Sequence, residues 1–257
     1  MEILLICIAA FFASGLTLFS GFGLGTLLLP VFGLFFPLEI AVAMTAIVHF
    51  LNNIFKLMLF KKHISRSVLL RFGIPSVAAA VAGALLLDRL GKSLPIAEYN
   101  LGGNMHSITA LKIVIGSLLL VFACFELIPR LKNLTMPEKY LPAGGLLSGF
   151  FGGLSGHQGA LRSMFLLRLR LSKEQFIATG VAIACLIDVS RLSVYAVNIR
   201  KTADSLNYYW LAAAAISAFA GAWIGNRLLK KITITLLQYF VAIFIILFSI
   251  ALIAGLV

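Results

Sequence analysis

One apolar stretch decides the fold, and it reads ILLICIAAFFASGLTLFSGFGLGTLLLPVFGLFF from Ile3 to Phe36. A helix needs about 20 apolar residues to cross the hydrocarbon core of a bilayer, so this stretch is too long for one span. It is interrupted by Ser20-Gly21-Phe22-Gly23-Leu24-Gly25, and glycine weakens a helix interior. We therefore expect two short helices separated by a break at membrane depth.

A second over-long stretch covers residues 141–170 and is broken by Gly152-Gly153-Leu154-Ser155-Gly156-His157-Gln158-Gly159. The remaining apolar stretches have the length of ordinary single spans; they cover 39–60, 69–88, 107–128, 174–197, 207–229 and 233–256. The longest polar segment, Leu87–Ser107, is expected to be a loop. The sequence thus predicts an all-α polytopic membrane protein.

Composition supports this fold class. The chain is 61% hydrophobic and 12% charged, whereas soluble domains are about 45–50% apolar and about 25% charged. The net charge of +12 would suggest nucleic-acid binding in a soluble protein, but here the basic residues lie mainly between apolar stretches, where they determine topology. We expect the lipid bilayer as a partner and no nucleic acid.

Several other functional classes are not favoured. The three cysteines, Cys7, Cys124 and Cys185, lie inside apolar stretches and are typical of small core residues, so we expect neither a metal site nor a disulfide framework. Walker, HExxH and GxSxG motifs are absent from the sequence. We therefore predict a protein that is not an enzyme and has no cofactor.

The two halves of the chain repeat each other. Residues Ala82–Lys92 align with Ala220–Lys230, and more than half of the aligned positions are identical. A shift of similar length brings Asn53 onto Asp188 and Lys56 onto Arg191. Because transporters are often built from internal repeats, we predict two membrane repeats, residues 1–135 and 136–257, within a single integral membrane domain.

The distribution of charge predicts how the repeats are oriented. If both glycine-broken stretches are re-entrant hairpins, each repeat has three full crossings, and the second repeat is inverted relative to the first. One side then holds most basic residues of the connecting segments, as the positive-inside rule expects: Lys61, Lys62, Arg66, Arg71, Arg130, Lys132, Lys139, Arg168, Arg170, Lys173, Arg227, Lys230 and Lys231, against Arg89, Lys92, Lys112, Arg200 and Lys201. This side is predicted to be cytoplasmic, with both termini outside.

Glycine-rich breaks at membrane depth indicate a cavity, because irregular backbone must be buried in protein or face water there. The helix that restarts after a break presents free N–H groups and a positive dipole end, which suits an anion. The alternative is that the glycines only allow close helix packing. The substrate-binding candidates are Ser20, Gly21, Gly23, Gly25, Thr26, Asn53, Ser155, Gly156, His157, Gln158, Gly159, Arg162 and Ser163.

Ionisable residues inside apolar stretches are a second set of candidates, since polar groups in lipid are costly and functional by default. They are His49, Lys56, Asp188 and Arg191, which we assign to ion coupling or to the cavity wall. Alternatives remain for each of these residues and for Arg162. Lys56 and Arg162 could extend to the membrane surface, and Asp188 and Arg191 could neutralise each other. His49 could carry a coupling proton or be a hydrogen-bonded core residue.

The chain resembles a known family. The resemblance is carried by Ser20–Gly25 followed by Pro30, by Ala41–Thr45, by the related pattern Ser148–Gly156, and by Gly-Ala-x-x-x-[Asp/Asn]-Arg-Leu near the end of each half. Together these motifs resemble the TauE/SafE sulfite exporters, also called TSUP permeases. The resemblance implies a multi-pass carrier in the bacterial inner membrane for sulfite, sulfonates such as sulfoacetate, or related organosulfur or carboxylate anions. The segment Gly156–Arg162 departs from the usual glycine run of this family.

The sequence as a whole therefore predicts a secondary transporter of a small anion. It would work by alternating access around a midplane site formed by the two glycine-broken helices, and a homodimer is among the assemblies that the sequence allows. The alternative is a membrane-embedded enzyme or an assembly factor without transport activity.

Overall fold

The computed structural model describes residues 2–16, 23–128, 134–199, 207–228 and 234–257. These residues are mostly helical. The helices are α1 (Glu2–Leu16), α2 (Leu24–Gly33), α3 (Leu38–Phe60), α4 (Arg66–Gly91), α5 (Ala110–Leu127), α6 (Leu141–Ser155), α7 (Gly159–Leu166), α8 (Lys173–Ile199), α9 (Tyr208–Leu228) and α10 (Ile234–Ile253). Single 3₁₀ turns, Lys61–His63 and Glu138–Tyr140, precede α4 and α6.

Both over-long stretches are interrupted where the glycines predicted it. The first is divided into α1 and α2, and the second into α6 and α7. At the second break Gly156 has φ +84°, a left-handed conformation that favours glycine. Helix α7 then returns toward the start of α6, since Met136 N donates to Met164 O over 2.9 Å. The pair α6–α7 is therefore a helical hairpin.

Four helices are long and apolar enough, by length and composition, to cross a membrane, namely α3, α4, α8 and α9. The described parts of α1, α2, α5 and α10 are shorter apolar helices. Helix α10 nevertheless exposes Phe240, Ile243, Leu247 and Ile250 along one face, and their helical spacing is that of a lipid-facing stripe.

Glycines allow the helices of the two halves to approach closely. Helix α4 packs against α6, and α1 packs against α9. A Cβ at Gly83 of α4 would collide with the Phe150 carbonyl oxygen, and a Cβ at Gly221 of α9 would collide with the Phe11 carbonyl oxygen. Close backbone contact at small residues is the usual way in which membrane helices pack. Between these two pairs, α3 packs against α8.

One segment departs from the all-α prediction. The expected loop between α4 and α5 contains two antiparallel strands, β1 (Ala97–Leu101) and β2 (Asn104–Ile108). Gly102 and Gly103 join them with φ of +62° and +87°, and positive φ at both positions is what a two-residue type I′ hairpin turn requires. The expectation of a loop at Leu87–Ser107 was wrong for most of this segment, because α4 continues to Gly91 and the turn at Gly102 and Gly103 pairs the two strands that flank it.

The ends of the bundle differ in charge. Helix α4 is about 39 Å long at 1.5 Å per residue, so its two ends mark opposite ends of the bundle. At its start, Arg71 pairs with Glu138 at 2.7 Å, and Ser65 N donates to Thr179 Oγ1 over 2.9 Å. These contacts place at one end many of the basic residues that the sequence assigned to one side: Lys61, Lys62, Arg66, Arg71, Lys139, Arg168, Arg170 and Lys173. The β-hairpin of β1 and β2 follows the other end of α4.

Candidate functional site

A polar stripe runs along the buried face of α3. It consists of Thr45, His49, Asn52, Asn53 and Lys56, whose spacing places them on one side of a helix. All five are buried within a helix that is otherwise apolar enough to span a membrane. Polar groups in such a position need partners from neighbouring helices, and α8 supplies several of them.

Asp188 on α8 is the centre of these contacts. Its Oδ2 lies 2.6 Å from His49 Nδ1 and accepts from Asn53 Nδ2 over 3.1 Å. Its Oδ1 accepts from Arg191 Nε and Nη2 over 3.1 and 2.8 Å, and Gln158 Nε2 donates to the same oxygen over 3.4 Å. The repeat-matched residues Asn53 and Asp188 thus meet directly, and the buried carboxylate is held by several donors, as a charge in lipid must be.

Arg191 extends from this carboxylate to the second break. Its side chain is fully buried, with 0% exposure. The Nη1 nitrogen has no hydrogen-bond partner, and it lies 2.8 Å from where a Cβ on Gly156 would be. Arg191 therefore pairs with Asp188 through only part of its guanidinium, and the remaining nitrogen, Nη1, is directed at the glycine of the break.

The two breaks meet at this point. The position of a Cβ on Gly25, in the first turn of α2, is 3.5 Å from the Gly156 carbonyl oxygen and 3.6 Å from Thr45 Cγ2. Thr26 is buried beside it, and Gly23 precedes α2 with φ −76°, which any residue can adopt. Ser20 and Gly21 lie outside the described residues. Within the described part of the first break, then, neither a clash nor a positive φ requires glycine, since a Cβ on Gly25 would make ordinary van der Waals contacts.

The second break is held by its own polar side chains. His157 Nδ1 lies 2.9 Å from Ser155 Oγ, and the His157 ring stacks on Phe122 of α5 with centroids 5.3 Å apart. Ser148 Oγ donates to Gln158 O over 3.1 Å. These contacts fix the turn between α6 and α7 and aim the Gln158 amide at Asp188.

One alternative expected Arg162 and Lys56 to extend to the membrane surface. Both instead make contacts within the protein. Arg162 Nη1 donates to Gln158 Oε1 over 3.2 Å, and its guanidinium lies against Gly180 of α8. Lys56 is 4% exposed, and its Nζ donates to Ser14 O over 3.4 Å. Gly159 is buried as the first residue of α7, whereas Ser163 is half-buried on the same helix.

Some residues at this site were absent from the sequence-based candidates. Thr45 and Asn52 belong to the α3 stripe, and Ser14 Oγ donates to Asn52 Oδ1 over 2.9 Å. Tyr195 OH donates to Gly153 O over 2.5 Å, at the last turn of α6. The helical spacing of Thr45 and Asn52 from His49 was the available signal for those two residues, whereas the contacts of Ser14 and Tyr195 depend on how distant helices cross.

The arrangement is chemically suited to an anion. Among the described residues, the buried side-chain atoms without a hydrogen-bond partner are Thr45 Oγ1, Asn52 Nδ2, His157 Nε2 and Arg191 Nη1. The Arg191 and Asn52 nitrogens are donors, and the Thr45 hydroxyl can donate. Near them, the two guanidinium groups of Arg162 and Arg191 lie close to the single carboxylate of Asp188, and Lys56 lies close to Arg162. Donors without a partner, beside more cationic side chains than carboxylates, favour the binding of a negatively charged acceptor.

Comparison with known proteins agrees with this chemistry. No individually curated protein matches the chain. The sequence model of one family, described as sulfite exporter TauE/SafE, matches residues 6–252, which is nearly the whole chain. Together with helices long and apolar enough to cross a membrane, this match identifies a multi-pass membrane protein of an anion-transport family, and the chain belongs to the sulfite exporter TauE/SafE family.

Proposed function

We propose that this protein is a secondary transporter whose substrate is sulfite, a sulfonate such as sulfoacetate, or a related organosulfur or carboxylate anion. The substrate binds beside Arg191, where the two glycine breaks meet at Gly25 and Gly156. One observation carries this proposal: the fully buried Arg191 leaves Nη1 without a partner at Gly156. A guanidinium is a strong ligand for oxoanions because its donors match their geometry.

The helix termini add to this site. Helices α2 and α7 both begin at the breaks, so their first N–H groups lack partners within the helix. Their positive dipole ends favour a negative charge nearby. Gln158 and Thr45 supply further polar atoms at the same place. The combination supports a site that holds an anion with backbone donors and one arginine arm.

Two features support inverted repeats around this site. The packing of α4 against α6 corresponds to that of α9 against α1, and in both pairs a motif glycine, Gly83 or Gly221, meets a phenylalanine carbonyl. The basic residues that cluster at one end of the bundle are those expected on the cytoplasmic side if both breaks are hairpins. Inverted repeats place a site at the membrane midplane, where alternating access can open it to either side.

Transport in reconstituted vesicles tests the proposal. The purified full chain would be placed in liposomes and supplied with labelled sulfite, thiosulfate, sulfoacetate or a small carboxylate, with protein-free liposomes as the control. We expect saturable uptake of at least one of these anions, inhibited by the others. Absence of uptake for all of them would contradict the proposal and return the membrane-enzyme and assembly-factor alternatives to consideration.

Location and assembly are separate proposals. The family resemblance supports the inner membrane of a bacterium, which fractionation of cells expressing the tagged chain would check. A homodimer stays a prediction, and cross-linking in native membranes followed by mass analysis would distinguish it from a monomer.

A further inference from the structure

We propose that His49, paired with Asp188, binds a proton that is transported together with the anion. This inference rests on the proposed function and deepens it by naming the coupling ion. It starts from the placement of a histidine–carboxylate pair inside the membrane domain, directly next to the arginine that faces the glycine breaks.

The pair is well placed to hold a proton. His49 is 6% exposed and Asp188 is 0% exposed, and Nδ1 and Oδ2 are 2.6 Å apart. Because a carboxylate oxygen accepts, His49 Nδ1 carries the shared hydrogen. The incoming proton therefore goes to Nε2, and the nearby Asn53 amide nitrogen donates to Asp188 Oδ2. Of the groups that contact Asp188, the imidazole is the one whose charge ordinarily changes near neutral pH.

The surroundings of His49 explain why the proton would depend on the anion. The ionisable groups that act on His49 directly are Asp188 and Arg191 from α8 and Arg162 from α7, and His157 lies in the break beside Arg191. The helices packed on α3 also carry Lys173, Glu174, Cys185 and Tyr195 on α8 and Tyr208, Tyr209 and Arg227 on α9, and α3 itself carries Glu39 and Lys56. Helix α2 carries no titratable side chain. Close to the pair, cations outnumber the single carboxylate, so a further positive charge on His49 is opposed.

An anion at Arg191 removes that opposition. The same carboxylate links both sites, since Asp188 Oδ2 contacts His49 while Oδ1 accepts from Arg191. A negative charge beside Arg191 Nη1 compensates the imidazolium, so anion binding favours proton binding. Linkage is reciprocal, and the proton favours the anion by the same factor. Coupled binding of this kind predicts that the two ions cross in the same direction.

The test uses the full chain in liposomes with labelled sulfoacetate, which is fully ionised at neutral and mildly alkaline pH. The membrane potential is clamped at zero with potassium and valinomycin, and the interior is made one pH unit more alkaline than the outside. With one proton per anion, we expect about tenfold accumulation inside. A trapped pH dye should report proton entry that requires the anion.

Variants separate the proton site from the anion site. His49→Gln keeps an N–H donor for Asp188 but cannot take up a proton; it should exchange labelled for unlabelled sulfoacetate at equal pH and lose the tenfold accumulation. His63→Gln is the matched control, because His63 lies exposed in the turn that follows α3. His49→Asn offers a second replacement if the glutamine variant does not fold.

Each outcome decides the proposal. Accumulation by the wild type and by His63→Gln but not by the His49 variants would support it. A wild type that exchanges sulfoacetate but neither accumulates it nor moves protons would overturn the proton site and leave the proposed function standing. Accumulation that persists in a folded His49 variant would overturn the assignment to His49. Failure of every anion in the wild type would instead contradict the proposed function.

Discussion

Arg191 combines a structural ion pair with a position at the proposed anion site. A buried arginine inside a membrane needs a counter-charge, and Asp188 one helical turn earlier supplies it through Nε and Nη2. That pairing satisfies one edge of the planar guanidinium. The remaining nitrogen, Nη1, has no hydrogen-bond partner and lies next to Gly156, where we propose that the anion binds.

The substitution Arg191→Lys should weaken anion binding about tenfold to a hundredfold. Lysine keeps the charge, but its ammonium lacks the rigid fork that reaches Asp188 and the ligand together, and one charge-assisted hydrogen bond is worth about 1.5–3 kcal/mol. Concentration-dependent uptake in liposomes would measure the effect. Arg168→Lys, at an exposed position, is the control, and equal affinities for the two variants would refute a direct role of Nη1.

The substitution Gly156→Ala should abolish transport, whereas Gly103→Ala should not. Both glycines have similar left-handed backbone, with φ of +84° and +87°, so both changes carry similar strain of about 1–3 kcal/mol. A Cβ at Gly156 would lie 2.8 Å from Arg191 Nη1, while a Cβ at Gly103 meets nothing within 4 Å. Comparing uptake by the two variants, after matching for folded protein by size exclusion, isolates the contact from the strain. Parallel behaviour would show that strain alone is responsible.

Much of this site could be anticipated from residue type. Asn53, Asp188 and Arg191 stood out because polar side chains are rare in such apolar stretches, and their shared repeat offset suggested a common location. The contact between Asp188 and Arg191 was one of the alternatives that their helical spacing raised. The direct contact between Asn53 and Asp188 could not be predicted, because it spans 135 residues of sequence and depends on how α3 crosses α8. For the same reason the sequence analysis placed Arg162 among the substrate-binding candidates and Arg191 among the coupling or cavity-wall residues, whereas we propose Arg191 as the ligand at the break.

At the scale of helices, glycine spacing controls the packing between halves. Gly145, Gly149 and Gly153 recur every four residues on α6, and a Cβ at any of them would collide with the backbone of α4, at Phe72, Ser76 and Ala80 respectively. This is the small-residue contact that draws membrane helices together. These glycines of α6 therefore serve packing, whereas Gly156 at the end of α6 belongs to the proposed anion site.

The substitution Gly83→Ala should destabilise the protein more than Gly73→Ala on the same helix. The added methyl at Gly83 would meet the Phe150 carbonyl and force α4 and α6 apart, and overpacking of this kind costs about 1–3 kcal/mol. At Gly73 it would meet Leu186 Cδ1 at 3.1 Å, the end of a side chain that can shift. Thermal unfolding in detergent would compare the two variants. Equal melting temperatures would mean that α4 and α6 do not need this close approach.

The helices could be predicted from hydropathy, since each apolar stretch forms one helix or, where glycines interrupt it, two. The β-hairpin at Ala97–Ile108 could not be predicted in this way, because its strands are short and polar and hydropathy carries little information there. It is held by contacts with the end of the chain, where Tyr99 OH donates to Ala254 O over 2.6 Å. Those contacts join residues that are far apart in sequence.

At the scale of the whole molecule, the basic residues and the breaks lead to one topology. The segments Lys61–Arg71 and Arg168–Lys173 are far apart in sequence, yet Ser65 at the start of α4 bonds Thr179 in α8. The β-hairpin of β1 and β2 follows the other end of α4. If both glycine-broken stretches return to the side they enter, the basic end faces the cytoplasm.

Cysteine accessibility in intact cells provides the test of this topology. After replacement of Cys7, Cys124 and Cys185, single cysteines would be placed at the exposed positions Ser67, Ser172 and Glu98. A membrane-impermeant thiol reagent added outside should label Glu98→Cys in the hairpin. Ser67→Cys and Ser172→Cys should be labelled only after the membrane is opened.

The comparison of Ser67→Cys with Ser172→Cys carries the argument, because the chain between them includes the second broken stretch. If α6 and α7 together crossed the membrane, the segment after α7 would lie on the opposite side from the segment before α6. The Arg71–Glu138 pair at 2.7 Å fixes the start of α6 beside the start of α4, and Met164 O accepts from Met136 N at the end of α7. Both cysteines should therefore share one side. Labelling from opposite sides would exclude the re-entrant hairpin and, with it, a midplane site between two inverted breaks.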